Sequence, residues 1–223
     1  PRTLDIVQGK VNFESVRPIA IEDILGRAIV KTEQKTLKNL FANKKVLITG
    51  AAGSIGSELA KQIALFKPKN LMLFDWWENG LFELDQDFNR NKILGKRELI
   101  IGNIQDQNKV DWVFRNFRPQ LVFHAAAFKH VPLMEAHPEE ATKNNILGTQ
   151  ICAEHAGKYQ VERFTFISTD KAVNPSSVMG ATKSFAELLI RHFNKKFPTK
   201  FTAVRFGNVL GSHGSVVPLF QKQ

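Results

Sequence analysis

The chain of 223 residues carries 31 Lys+Arg against 21 Asp+Glu, a formal charge of +10, with 43% apolar and 23% charged residues. A chain of this length buries roughly 70% of the surface its unfolded form exposes, so general disorder is excluded and the core needs neither disulfide nor metal. With 14 Gly and 9 Pro the collagen-like and low-complexity classes are excluded, no apolar run approaches the roughly 20 residues of a membrane-spanning helix, and the single cysteine, Cys152, excludes an internal disulfide framework and a Cys-rich zinc site.

Residues 1–44 read as an N-terminal extension. The stretch from Ile19 to Gly26 has the form of one short helix closed by a Gly cap, and a Lys-rich helix-forming segment follows it. From Lys45 onward a short apolar run, a loop and a segment of helical spacing alternate, the pattern of βαβ units around a parallel sheet. Strands are expected at 46–49, 71–74, 99–101, 121–124, 164–167 and 201–204. Helices are expected at 54–66, 78–94, 107–117, 139–156 and 177–197, and in the last of these Phe185, Leu188, Leu189 and His192 share one face. Pro68, Pro119 and Pro198 stand where they would stop three of the helices. The fold class is therefore α/β, a Rossmann-type doubly wound parallel sheet over residues 45–206.

The basic balance admits nucleic acid, an anionic membrane face or an anionic small molecule. Lys and Arg are scattered, with no dense basic run and no zinc-finger or RNP signature, so nucleic acid is not expected as a partner. One cysteine and the absence of an opening secretory signal lead to the expectation of a reducing, cytoplasmic setting.

Gly50-Ala51-Ala52-Gly53-Ser54-Ile55-Gly56 follows the first strand and opens a helix, the place where backbone N–H groups and the helix dipole receive a pyrophosphate. A tight turn without a ligand is the alternative for such a triplet taken alone. Asp75 ends the next strand roughly 20 residues on, where a carboxylate accepts from adenosine ribose hydroxyls and repels a 2′-phosphate, which favours NAD over NADP. Asn103 and Ile104 after the third strand, and Ala125, Ala126 and Ala127 after the fourth, complete the expected cofactor contacts; a solvated helix N-cap is the alternative for Asp75, a turn residue for Asn103 and plain close packing for the alanines. Asn145 and Gly148 are unfavourable within a helix and point to a kink. His124, His130 and His137 lack zinc-ligand spacing, so no metal is expected.

On these residues, together with Arg17-Pro18-Ile19, the run His124–Glu135, Ser168-Thr169-Asp170-Lys171-Ala172-Val173-Asn174-Pro175, Met179-Gly180-Ala181-Thr182-Lys183 and Arg205-Phe206-Gly207-Asn208, the chain resembles extended short-chain dehydrogenases/reductases. Within them it is similar to the large, membrane-anchored bacterial 4,6-dehydratases of UDP-N-acetylglucosamine. Most of the superfamily carries Tyr-x-x-x-Lys, with both side chains on one helical face. Here the Tyr position holds Met179, which cannot exchange a proton, and the Lys is Lys183; the large 4,6-dehydratases share this departure.

The resemblance implies oxidation at C4 of the sugar, loss of water across C5 and C6, and return of hydride to C6. It makes Asp170 the acid and Lys171 the base, roles that require burial to raise the first pKa or lower the second. It also has Thr169 bond the C4 oxygen and Lys183 hold the nicotinamide ribose, with Asn208 at the substrate diphosphate and Lys129 and His130 within reach of the sugar. The acceptor of the C4 hydroxyl proton is left between Asp170 and a water. By the same resemblance residues 45–206 are expected to be the NAD-binding domain and 207–223 the start of a substrate domain that is largely missing, the full-length protein is expected to meet the cytoplasmic face of the inner membrane through an upstream region, and self-association into a homo-oligomer is left open. A nucleotide-sugar 4-epimerase and a non-catalytic dinucleotide-binding regulator are the alternatives.

Overall fold

A computed structural model describes residues 33–207 and 209. The expected short helix at Ile19–Gly26, Asn208 and nearly all of 207–223 lie outside the described residues.

Six parallel strands, β1 (Lys45–Thr49), β2 (Asn70–Asp75), β3 (Arg97–Ile101), β4 (Leu121–His124), β5 (Arg163–Ile167) and β6 (Lys200–Val204), lie in the order β3-β2-β1-β4-β5-β6. Sequence neighbours β3, β2 and β1 run one way from the centre and β4, β5 and β6 the other. The chain therefore reverses its winding between β1 and β4, and the crevice for a ligand opens at the C-terminal ends of those two strands.

The central strands β1, β2 and β4 are buried on both faces, which explains their apolar runs in place of alternation, whereas the edge strands β3 and β6 are more exposed. Val46, Ile48, Leu71 and Leu73 face one cluster, packed by α1 (Gln34–Phe41), α2 (Ser54–Ala64) and α3 (Glu78–Arg90). Leu47, Met72, Phe74 and Val122 face the other, under α4 (Gln107–Phe117) and the later helices. The Lys-rich segment is α1, and its Phe41 stacks on Phe66 at 5.7 Å, so the end of the extension packs against this body.

Local chemistry sets the helix ends. Asp106 accepts the Lys109 N–H at 3.0 Å to start α4, and Arg118, left-handed at φ 49°, ends it just before Pro119. α3 stops at Arg90, short of the expected 94, because Lys92 turns left-handed at φ 52°.

Two expectations are corrected. The single helix at 139–156 is three pieces, α6 (Pro138–Thr142), a π-helical segment (Lys143–Gly148) and α7 (Thr149–Lys158), preceded by an unforeseen short helix α5 (Val131–Ala136). In α8 (Val178–Lys196) the inward face is Met179, Thr182, Lys183, Ala186, Glu187, Ile190 and Phe193, whereas Phe185 and Leu188 are about half exposed and His192 is exposed. A buried glutamate, paired with the partly exposed Arg205, and a buried lysine occupy the inner positions that apolar periodicity would give to Phe185 and Leu188.

Candidate active site

At the end of β1 the chain turns through Gly50, whose φ of +68° suits glycine and whose Cβ would lie 2.5 Å from the Ala126 nitrogen. A Cβ on Gly56 would strike the Gly50 carbonyl, so the turn and the first turn of α2 touch backbone to backbone. Gly53, the N-cap of α2, brings no side-chain acceptor to that helix end. Asp75 is buried and divides its carboxylate, with Oδ2 accepting the Ala52 N–H at 2.9 Å and Oδ1 the Trp77 N–H at 3.0 Å. Each oxygen keeps acceptor capacity, and the carboxylate bonds the backbone of the Gly turn directly through Ala52. A pyrophosphate at the α2 N-terminus and a ribose at Asp75 fit this cradle.

Trp77 lies flat on Gly80, where a Cβ would clash with its ring, while Trp76 is exposed. Asn103, exposed, folds back on its own backbone, Oδ1 accepting the Gln105 N–H at 2.9 Å in an Asx turn. Ile104 is buried against Gly148 of the π segment.

β4 ends at His124, fully buried between Thr49 (Oγ1 to Nδ1, 2.7 Å) and Thr149 (Oγ1 to Nε2, 3.0 Å) and flanked by Phe164 and Phe166. Burial, with Lys183 near it, pushes this imidazole down to about 3, so it is neutral and structural. Ala125, Ala126 and Ala127 then pass the Gly turn. Asn145, carried inward by the π segment, accepts the Phe128 N–H at 2.8 Å and donates to the Phe128 carbonyl at 3.0 Å and to Thr182 Oγ1 at 3.1 Å. It ties the loop after β4 to α8. Lys129 and His130 follow, exposed.

At the end of β5 the chain makes a 3₁₀ turn, Asp170–Ala172. Thr169 Oγ1 donates to Asp170 Oδ1 at 2.8 Å and accepts the Lys171 N–H at 3.3 Å, and Lys171 Nζ lies 3.2 Å from the same Oδ1. The Thr169 hydroxyl, then the Lys171 ammonium, hold the Asp170 carboxyl below its usual range. The pair is exposed, 56% for Asp170 and 40% for Lys171. The burial that an acid of raised pKa requires is not supplied by the described residues, and Asp170 stands here as a carboxylate. Gly180 packs against this turn, since a Cβ there would meet the Lys171 carbonyl.

Met179 is buried with Met134 and Ala141 in an apolar cluster bordered by Phe128, Val131 and Val178. One helical turn on, Lys183 is 5% exposed, donates to the Ile167 carbonyl at 2.6 Å and lies 4.0 Å from the Phe166 ring centre. Desolvation, only partly offset by Glu187, pushes its amine down to about 7.

The sequence reading missed the network beneath this floor. Glu187 accepts from Ser168 Oγ at 2.6 Å and from Arg205 in a two-pronged pair at 2.8 and 2.5 Å. Desolvation opposes its ionisation, but Arg205 and Ser168 outweigh that and hold its carboxyl below the usual range. A charged residue, Glu187, spaced eight residues from Met179 on the inner stripe of α8 was the available signal. Among the described residues no cluster of His, Cys, Asp or Glu could hold a metal ion, and no helix is long and apolar enough to cross a membrane.

Residues 46–223 match the family described as polysaccharide biosynthesis protein. Over its whole length the chain is 44% identical to the capsular polysaccharide biosynthesis protein CapD of Staphylococcus aureus, of which it spans 38%. It is 36% identical to a UDP-N-acetylglucosamine 4,6-dehydratase (inverting) of Campylobacter jejuni, over 82% of this chain and 54% of that one. Identity is 35%, with the same shares covered, to a UDP-glucose 4-epimerase of Rickettsia bellii. Among solved structures, Pen from Bacillus thuringiensis superposes with a TM-score of 0.76 at 38% identity, over 82% of this chain and 58% of that one. The chain thus spans less than two thirds of each of these relatives. A match that runs from the first strand to the last residue shows the family, and the chain belongs to the polysaccharide biosynthesis proteins, built on the short-chain dehydrogenase/reductase fold.

Proposed function

We propose that this chain supplies the NAD-binding half and the proton-handling groups of a UDP-N-acetylhexosamine 4,6-dehydratase, with UDP-N-acetylglucosamine as substrate and a place in glycan or polysaccharide synthesis. The observation that carries the reading is Met179. Where the superfamily keeps a proton-exchanging Tyr, this chain buries a thioether in an apolar cluster, and it places Thr169, Asp170 and Lys171 together at the neighbouring strand end. A 4-epimerase normally relies on the Tyr, although the R. bellii relative keeps that alternative in the test. The relative named for 4,6-dehydration at 36% identity adds support.

A bound nicotinamide dinucleotide would accept hydride from C4 and return it to C6. Gly50, Gly53 and Gly56 would hold its pyrophosphate, Asp75 its adenosine ribose, and Lys183, released from the Ile167 carbonyl, its second ribose. The carboxylate at Asp75 favours NAD over the 2′-phosphorylated form. Asp170, ionised and already receiving the Thr169 hydroxyl proton, is set to take the C4 hydroxyl proton through Thr169. The proton so gained is the one it gives to the departing C6 hydroxyl, which removes the need for a carboxyl that starts protonated. Lys171, next to Asp170 on the same turn, is assigned as the base that removes the C5 proton. Lys129, His130 and Asn208 are assigned to the nucleotide sugar, and the surplus of basic residues suits two anionic ligands.

The test is incubation of the full-length protein with NAD and UDP-N-acetylglucosamine, read by mass spectrometry. A product lighter by one water supports the reading. A product of unchanged mass inverted at C4 would establish an epimerase, and cofactor binding without turnover a regulator.

A further inference from the structure

The loop leaving β4 meets α8 twice beyond the Asn145 tie, and both contacts come from neighbouring residues of α5. Met134, 7% exposed, packs in the cluster with Met179. Beside it, Glu135 Oε1 accepts the Val178 N–H at 2.7 Å, 43 residues away in the chain.

Val178 is the first residue of α8, and the first N–H groups of a helix have no partner within it. Ser177 takes one of them, its Oγ accepting the Gly180 N–H at 3.1 Å. In a capping box an acidic side chain three residues after the Ser would strengthen this end, but that position is Gly180. It must be glycine, because any Cβ would strike the carbonyl of Lys171. The close approach of α8 to the Asp170–Lys171 turn therefore denies the helix a local acidic cap. Glu135 supplies one from the loop, a carboxylate at the positive end of the helix dipole.

We propose that Glu135 is a positioning residue: by bonding the Val178 N–H it locks the loop bearing Lys129 and His130 to the start of the helix bearing Met179 and Lys183, so that both sides of the sugar site keep one spacing. The inference rests on the reading of the site given above. Glu135 touches neither cofactor nor reacting atoms; its effect passes through α8.

The full-length protein with NAD and UDP-N-acetylglucosamine provides the test, with kcat, KM and NAD affinity measured separately. Glu135→Ala lowers kcat about tenfold or more, as a small misplacement of reacting groups does, and leaves NAD affinity within about twofold. Glu135→Gln keeps kcat within about twofold of the parent, since its amide oxygen accepts the same bond. Val178→Pro deletes the donor at the helix position where proline is at home, and Ser177, extended at φ −140° and ψ 155°, already has the backbone that a residue before proline adopts. It lowers kcat as Glu135→Ala does, and the double variant is no worse than either single one.

The proposal is overturned if Glu135→Ala keeps kcat within about twofold, if Glu135→Gln falls as far as Ala, or if the two losses multiply. Should Glu135→Ala fail to fold, Val178→Pro against the parent decides alone. Amide hydrogen exchange separates this proposal from the functional reading. The Val178 amide is protected in the parent and in Glu135→Gln and exposed in Glu135→Ala whatever the substrate, and free exchange in the parent sinks the positioning role. A parent that protects that amide but removes no water from the sugar sinks the functional reading instead.

Discussion

Lys183 shows how one buried side chain couples stability to pH. Its amine is pushed from 10.5 to about 7 because burial penalises the ammonium more than Glu187 restores it. An unfolded chain therefore holds this proton more tightly than the folded one between about pH 7 and 10.5. The penalty is full below pH 7 and is relieved as pH rises through that window. Lys183→Met removes the penalty. We expect its stability relative to the parent to be greater at pH 6 than at pH 9, by on the order of 1–3 kcal/mol. The bond to Ile167 is lost at both pH values and cancels in the difference. Urea denaturation at the two pH values measures this, and an equal difference at both would show that the lysine stays charged in the fold. Asp75 was legible in the sequence because strand end and spacing alone place it. The ionised state of Asp170 was not, because it depends on Thr169 and Lys171 side-chain geometry.

Among the elements, the six strands were legible within two residues at their ends, since β1, β2 and β4 are short apolar runs buried in the middle of the sheet and the more exposed β3, β5 and β6 still carry short apolar runs bounded by loops. The inner face of α8 was not. Hydrophobic spacing ranks Phe185 and Leu188 above Lys183 and Glu187, and it cannot register that Arg205, Ser168 and the Ile167 carbonyl compensate the two charged groups. The π segment was half legible. Asn145 and Gly148 marked an irregularity, but only the packing shows an extra residue per turn that points Asn145 at Phe128 and seats Gly148 on Ile104. Asn145→Ala leaves a buried loop N–H and carbonyl without partners, and should cost about 2 kcal/mol in urea denaturation; a cost under about 0.5 kcal/mol would mean that water replaces the amide. At the Gly turn, Gly56→Ala drives a methyl into the Gly50 carbonyl and should weaken NAD binding about tenfold or more by calorimetric titration. Unchanged affinity would place the dinucleotide elsewhere.

On the scale of the whole molecule, the winding reversal between β1 and β4 brings four separate pieces of chain to one crevice: the Gly turn, the end of β2, the loop after β4 and the turn after β5. The described residues hold the proposed cofactor cradle and the Thr169–Asp170–Lys171 group, and the chain spans 38% and 54% of the CapD and dehydratase relatives named above. Asp170 and Lys171 stand exposed among the described residues, whereas the chemistry proposed for them calls for exclusion of water. The central claim is that this exposed pair carries the elimination, with Lys171 removing the C5 proton. Turnover of UDP-N-acetylglucosamine by the full-length protein in heavy water tests it most directly, comparing the parent with Lys171→Ala by mass spectrometry and proton NMR. The account predicts a dehydrated sugar bearing deuterium at C5 from the parent and neither water loss nor C5 exchange from the variant. Deuterium entering C5 at the parental rate in Lys171→Ala would contradict it.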